Sequence, residues 1–142
     1  VLVEWMAAAE LGCHGRAAVI SPKIGPLLKD YKNIVSLMKL IVYCTCPDKA
    51  IAETIAQMLI ERRLAACVNI LPQMQSIYRW QGQIEHDDEF LLLIKSDVAH
   101  FESLQKAILA QHPYDLPEII GVPVAAGHPE YLKWITNELT KS

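Results

Sequence analysis

Three stretches of this chain are apolar at consecutive positions: Leu40-Ile41-Val42-Tyr43-Cys44, Phe90-Leu91-Leu92-Leu93-Ile94 and Ile119-Ile120. A strand turns successive side chains to opposite faces, so a sheet with one wet face alternates apolar and polar residues. These runs place apolar groups on both faces at once. Both faces of the sheet are therefore expected to be covered.

The order of elements says what can cover them. Leu40 to Cys44 reads as a strand that ends at Thr45-Cys46-Pro47-Asp48, where Pro near a first helical position and Asp in the first turn mark a helix start. Ile51, Ala52, Ile55, Ala56, Leu59 and Ile60 repeat at helical spacing, and Arg62-Arg63 is expected in the last turn, favourable to the helix dipole. Cys67 to Ile70 reads as a strand, interrupted by Pro72 and resumed at Ser76 to Trp80, which predicts an edge strand or a bulge. Gln81-Gly82 is a tight-turn signal, so Gln83 to Lys95 returns as the hairpin partner. Asp97 caps a second helix with Phe101, Leu104 and Ile108 on one face, and His112-Pro113 ends it. Glu118 to Ala125 is expected as a fourth strand, broken by Gly121 and Pro123. Gly127-His128-Pro129 opens a last helix with Leu132, Ile135 and Leu139 inward.

The order βαββαβ plus a C-terminal helix predicts an α+β, ferredoxin-like sandwich with helices on one face of an antiparallel sheet. Only the last helix is spare to cover the other face. A second copy of the chain is the expected cover, making the protein a homo-oligomer.

Composition narrows the function. A length of 142 residues suits one domain with at most a short appendage. The net charge is −3 with no basic patch, which argues against a nucleic-acid binder held by phosphate contacts. No apolar run approaches the roughly 18 residues of a membrane span. Of the four cysteines, Cys44 and Cys46 are too constrained on one strand to bridge each other, and Cys67 is expected in the core. A reducing cytoplasm fits so sparse a cysteine content. Residues 1–37 are Ala/Gly-rich at first and then loop-like, and make a poor secretory signal. Met38 stands directly before the first strand and is expected to be the biological start, leaving 1–37 as an N-terminal extension outside the domain 38–142.

Few groups could carry chemistry. Cys44 and Cys46 share a strand face, and thiolates suit soft metals, but C-x-C alone equally describes two small buried residues. Gln111 to Glu118 sets His112, Tyr114, Asp115 and Glu118 between two prolines, either a preorganised site or a rigid connector with Tyr114 as a core plug. Glu85 to Glu89 reads as a solvated strand edge, while Tyr78 and Trp80 alternate on one hairpin face as packing or subunit contact. His100 receives no role, and His128 reads as a neighbour of the last helix cap. The phosphate-loop, dinucleotide and G-x-S-x-G signatures are absent from the sequence. A Cys44 nucleophile with His112 as base is the remaining enzymatic reading.

Four segments carry a resemblance: Tyr43-Cys44-Thr45-Cys46-Pro47-Asp48, Leu64 to Ile70, Ser76 to Gly82 and His112 to Ile119. Together, in that order, they resemble the CutA family of divalent-cation tolerance proteins over about residues 38–140. The resemblance implies a homotrimer shaped like the PII signalling proteins, without enzymatic activity, that responds to copper and other divalent metals. It implies Cys, His and Glu ligands: Cys44 ending the first strand, His112, and the Glu118 of Pro-Glu. Copper is the implied ion, with zinc or another divalent cation as the further candidates, and Tyr78, Trp80 and Tyr114 line the neighbouring cleft. Gln111 replaces the first histidine of a His-His-Pro-Tyr sequence found in some members, so His112 must supply the imidazole. Gln73 stands where the family often has Gly, which bears on the bulge. The alternative is a PII-like trimer that senses a small molecule or anchors a partner, with metal incidental.

Overall fold

The computed structural model describes residues 37–141 together with Asp30, Tyr31, Ile34 and Val35, and the expectations for residues 1–37 fall almost wholly outside that set. Two units meet at Tyr31/Lys32, and the second, Lys32–Ser142, carries every element named below. The elements are β1 (Lys39–Cys46), α1 (Lys49–Glu61), β2 (Cys67–Trp80), β3 (Gln83–Asp97), α2 (Val98–Leu109), β4 (Ile120–Pro123) and α3 (Pro129–Thr140). They form one four-stranded sheet in the order β2-β3-β1-β4, antiparallel at each pairing. The chain is α+β and ferredoxin-like, as its pattern predicts.

Alternation along β1 and β3 divides the sheet. Leu40, Val42, Cys44 and Cys46 of β1 and Leu92 and Ile94 of β3 join Ile55 and Leu59 of α1 and Leu104 and Ile108 of α2 in one buried core. The intervening residues turn away: Ile41 and Tyr43 of β1, Leu91 and Leu93 of β3, Ile120 and Val122 of β4. Ile120 and Val122 are 53% and 44% exposed. This second face is apolar and largely open.

Several local expectations are refined. Asp48 is the N-cap of α1, its carboxylate accepting the Ile51 N–H at 2.8 Å, instead of lying in the first turn, and Pro47 precedes the cap. Arg62 and Arg63 lie beyond the helix, not in its last turn. Arg63 has φ +54°, and the Leu64 N–H reaches the Leu59 carbonyl at 2.9 Å while the Arg63 N–H reaches Ile60 at 3.0 Å. That is a Schellman closure with Arg where Gly is usual. The arginine has other work: its guanidinium donates to the Glu138 carbonyl at 3.1 Å, tying α3 to the end of α1.

β2 is one continuous edge strand whose register shifts between Leu71 and Met74, the bulge that Pro72 predicts. Gln73 there adopts φ +61°, a left-handed conformation that costs a non-glycine residue about 1 kcal/mol. β4 is shorter than Glu118 to Ala125. Pro117 and Pro123 bracket it and have no N–H for a ladder. At Gly121 within it, an added Cβ would press on the Phe101 ring at 3.2 Å, so the ring would have to give by a few tenths of an ångström.

Cys67 is half-buried on the second face, not in the core, because its register partner Lys95 points that way. Burial, with Cys67 adding to it, pushes the Tyr131 phenol of α3 up, and α3 buries Ile135 and Leu139. His128 is itself the α3 N-cap residue, with no side-chain cap bond, ahead of Pro129. No helix of the described residues is long and apolar enough to cross a membrane.

Candidate functional site

The core-facing side of β1 ends in Cys44 and Cys46, both fully buried. α2 stops at Leu109, and the Gln111 and His112 N–H groups both fold back on the Ile108 carbonyl at 2.9 Å. Pro113 forbids further helix, so His112 is delivered over the end of β1. Its Nε2–H donates to the Thr45 carbonyl at 2.8 Å, and its Nδ1 accepts the Tyr114 N–H at 3.2 Å. These partners assign the ring proton to Nε2. One sulfur each from Cys44 and Cys46 and one nitrogen of His112 lie within 4.8 Å of one another.

Two thiols and an imidazole form a soft donor set, suited to copper(I) or zinc and unsuited to magnesium or calcium. The set fits such an ion with a fourth position left open. Both imidazole nitrogens are engaged, so the ring must release one of its two bonds to present a lone pair. The Cys44 thiol is pushed far up by its hydrogen bond to Cys46, then by burial, with the charges of Cys46, Glu118 and Glu89 adding to the effect. Cys46, accepting from Cys44, is moved down.

Of the residues singled out by sequence, Cys44 and His112 are brought together, and Cys46 joins them. Glu118 is exposed and stands outside that cluster, although its charge reaches Cys44. It lines instead an adjoining cavity of about 610 Å³, walled also by Thr45, Ser76, Tyr78, Trp80, Glu89 and Tyr114. Tyr78, Trp80 and Tyr114 thus share one cleft, and Tyr114 is at its wall, not a core plug.

Glu89 departs from the solvated run expected over Glu85 to Glu89. It is only 6% exposed, and takes hydrogen bonds from Ser76 Oγ at 2.5 Å and the Tyr114 hydroxyl at 3.3 Å. Its signal in the sequence is its place in the β3 alternation with Leu91 and Leu93. The signal for Cys46 is its shared face with Cys44.

The two phenols of the cleft are shifted in the same direction. Tyr78 is pushed up to about 12, chiefly by its hydrogen bond to Asp87, and Tyr114 to about 12 by burial and then the Glu89 charge. A raised folded value means stability retained below the ordinary phenol range near 10 and lost as pH rises through about 12. Absorbance titration at 295 nm is expected to show these two tyrosines ionising late, together with Tyr131, whose phenol burial also pushes up, and Tyr114→Phe should remove one of the three. A single early transition for all phenols would contradict the hydrogen bonding described.

The profile of the CutA1 divalent ion tolerance protein family matches residues 40–138. The chain belongs to this family. Among CutA proteins, the divalent-cation tolerance protein of Thermus thermophilus is 49% identical over 98 residues, covering 69% of this chain and 95% of that one. That of Pectobacterium atrosepticum is 44% identical, covering 70% and 90%. The Xenopus laevis CutA homolog is 46% identical over 66% of this chain, and the match spans 62% of its length. The CutA crystal structure from Xylella fastidiosa superposes with TM-score 0.70 at 48% identity, over 71% of this chain and 97% of that one. The Oryza sativa CutA1 structure gives 0.72 at 37% identity, over 76% and 99%. Thus the CutA resemblance in four short segments extends through the whole sheet and its helices. The Thermus thermophilus and Pectobacterium atrosepticum relatives are named for divalent-cation tolerance, and the Cys44–Cys46–His112 cluster here is a donor set that could hold a metal ion.

Proposed function

We propose that this chain is a non-enzymatic metal-tolerance protein that binds copper as a homotrimer. The observation that carries the reading is the convergence of Cys44, Cys46 and His112 donor atoms within 4.8 Å, in a chain of the CutA family. Cys44 and Cys46 supply sulfur and His112 neutral imidazole, and the Glu118 charge reaches Cys44 from the cavity wall. Zinc suits the same donors. The trimer accounts for the open apolar face of β1, β3 and β4, and a reducing cytoplasm suits the free thiols Cys44, Cys46 and Cys67.

Because Cys44 holds its proton, loading displaces it, and uptake falls as pH falls. Anaerobic titration with copper(I) is expected to give one ion per chain, at least a hundredfold weaker in Cys44→Ala and with the mass of the assembly unchanged. Unaltered uptake by Cys44→Ala rejects the assignment. A second reading, a PII-like trimer that senses a small molecule or anchors a partner, is favoured by the 610 Å³ cavity beside the cluster.

A further inference from the structure

We infer that the cavity beside the metal-ligand cluster binds a small organic cation, an ammonium or guanidinium group carried on an apolar body. The inference names a ligand class for the small-molecule reading and rests on it, while remaining independent of copper binding at the thiols. Its volume of about 610 Å³ lies within the range of small-molecule sites.

Charge is the first argument. Glu89, Asp115 and Glu118 line the cavity, and among the described residues no lysine, arginine or histidine does. Asp115 and Glu118 are exposed and solvated, but Glu89 is 6% exposed. A buried carboxylate ordinarily has a cationic partner or neutralises. Among the described residues Glu89 has only two neutral hydroxyl donors, Ser76 and Tyr114, as hydrogen-bond partners. They orient the carboxylate without cancelling its charge.

The walls are the second argument. Tyr78, Trp80 and Tyr114 present aromatic rings, and Ile77, Pro113 and Leu116 add apolar surface. Ring faces attract cations, most strongly when water is excluded, and an apolar body gains from the same contacts. A hard inorganic cation demands six or more oxygen ligands and gains nothing from such walls. The combination of one desolvated carboxylate with three aromatic rings selects an organic cation over a bare metal ion, a neutral molecule or an anion.

Benzylamine, benzyl alcohol and benzoate share one ring and differ in charge, so they serve as the probes in calorimetric titration of the intact protein. Benzylamine is expected to bind saturably, at least tenfold more tightly than benzyl alcohol, with no binding of benzoate. Glu89→Gln, which keeps shape and hydrogen bonding, should remove that tenfold preference. Trp80→Leu, at an exposed ring, should weaken benzylamine severalfold and guards against a folding defect in the Glu89 variant. Cys44→Ala should leave benzylamine binding unchanged while weakening copper uptake at least a hundredfold, which separates the two sites. Equal affinity for the amine and the alcohol, displacement of benzylamine by millimolar calcium, or no saturable binding at all would each overturn the proposal.

Discussion

Leu92→Ala is expected to destabilise the domain by about 2–5 kcal/mol, the range for removing a fully buried leucine side chain. Leu92 is fully buried at the centre of the sheet, registered against Cys44 of β1 and Ile70 of β2. It shares the core with Ile55, Leu59, Leu104 and Ile108, so atoms of both helices rest on it. The backbone around it is held by hydrogen bonds to strands on both sides, which limits collapse into the vacated space. Since a domain of this kind is stable by roughly 5–15 kcal/mol, the loss is a large fraction of the whole. Urea unfolding at one fixed protein concentration checks it, with Ile77→Ala as the control. Ile77 is 63% exposed on the hairpin, and its truncation is expected to shift stability by about 0.5 kcal/mol or less. Equal effects from the two variants would mean that the core is not where Leu92 lies.

The legible parts of the fold are those governed by short-range chemistry. Asp48 and Asp97 announce α1 and α2 because each accepts a backbone N–H three residues on. Gln81-Gly82 announces the hairpin because both residues take positive φ. Pro72 announces the bulge. Arg63 was not legible as a left-handed cap, because its reason for being there is Glu138, 75 residues away. Cys67 was assigned to the core because an apolar run does not say which face each residue takes; only the pairing with Lys95 decides that.

The site follows the same division. Sequence offers Cys44 with His112 as a nucleophile and base, and again through the family motifs, but not their proximity, since the separation of 67 positions from Thr45 to His112 is closed by folding alone. Cys46 was in view as a second thiol on one face, yet its place beside His112 depends on how the loop after α2 folds back on Ile108. Glu89 was hidden inside an acidic run. Three acidic neighbours, Glu85, Asp87 and Asp88, conceal a carboxylate whose position opposite Met74, past the bulge, turns it toward the Tyr114 hydroxyl.

Leu93→Glu is expected to convert the proposed trimer into a folded monomer. Leu93 sits mid-sheet on the second face, registered against Tyr43 on one side and Asn69 on the other. Its neighbours on that face, Leu91, Ile41, Ile120 and Val122, leave a broad apolar surface that α3 covers only in part. In an isolated chain a glutamate there would remain in water at little cost, since the core lies on the opposite side of the sheet. Inside an interface it would have to shed its hydration, with Lys95 of the same strand already donating to the Leu93 carbonyl and the Asn69 amide oxygen and Lys39 of β1 already paired with Asp97. A desolvated, unpaired carboxylate costs several kcal/mol at each of the repeated contacts, enough to dissociate the assembly at micromolar concentration. Light scattering should then report a mass near 15.9 kDa for the variant, with unchanged far-ultraviolet circular dichroism. Gln57→Glu, an equal change of charge on the exposed side of α1, should leave the assembly intact. A Leu93→Glu protein that keeps the wild-type mass would place the subunit contacts elsewhere, and the consecutive apolar runs of β1 and β3 would need another cover.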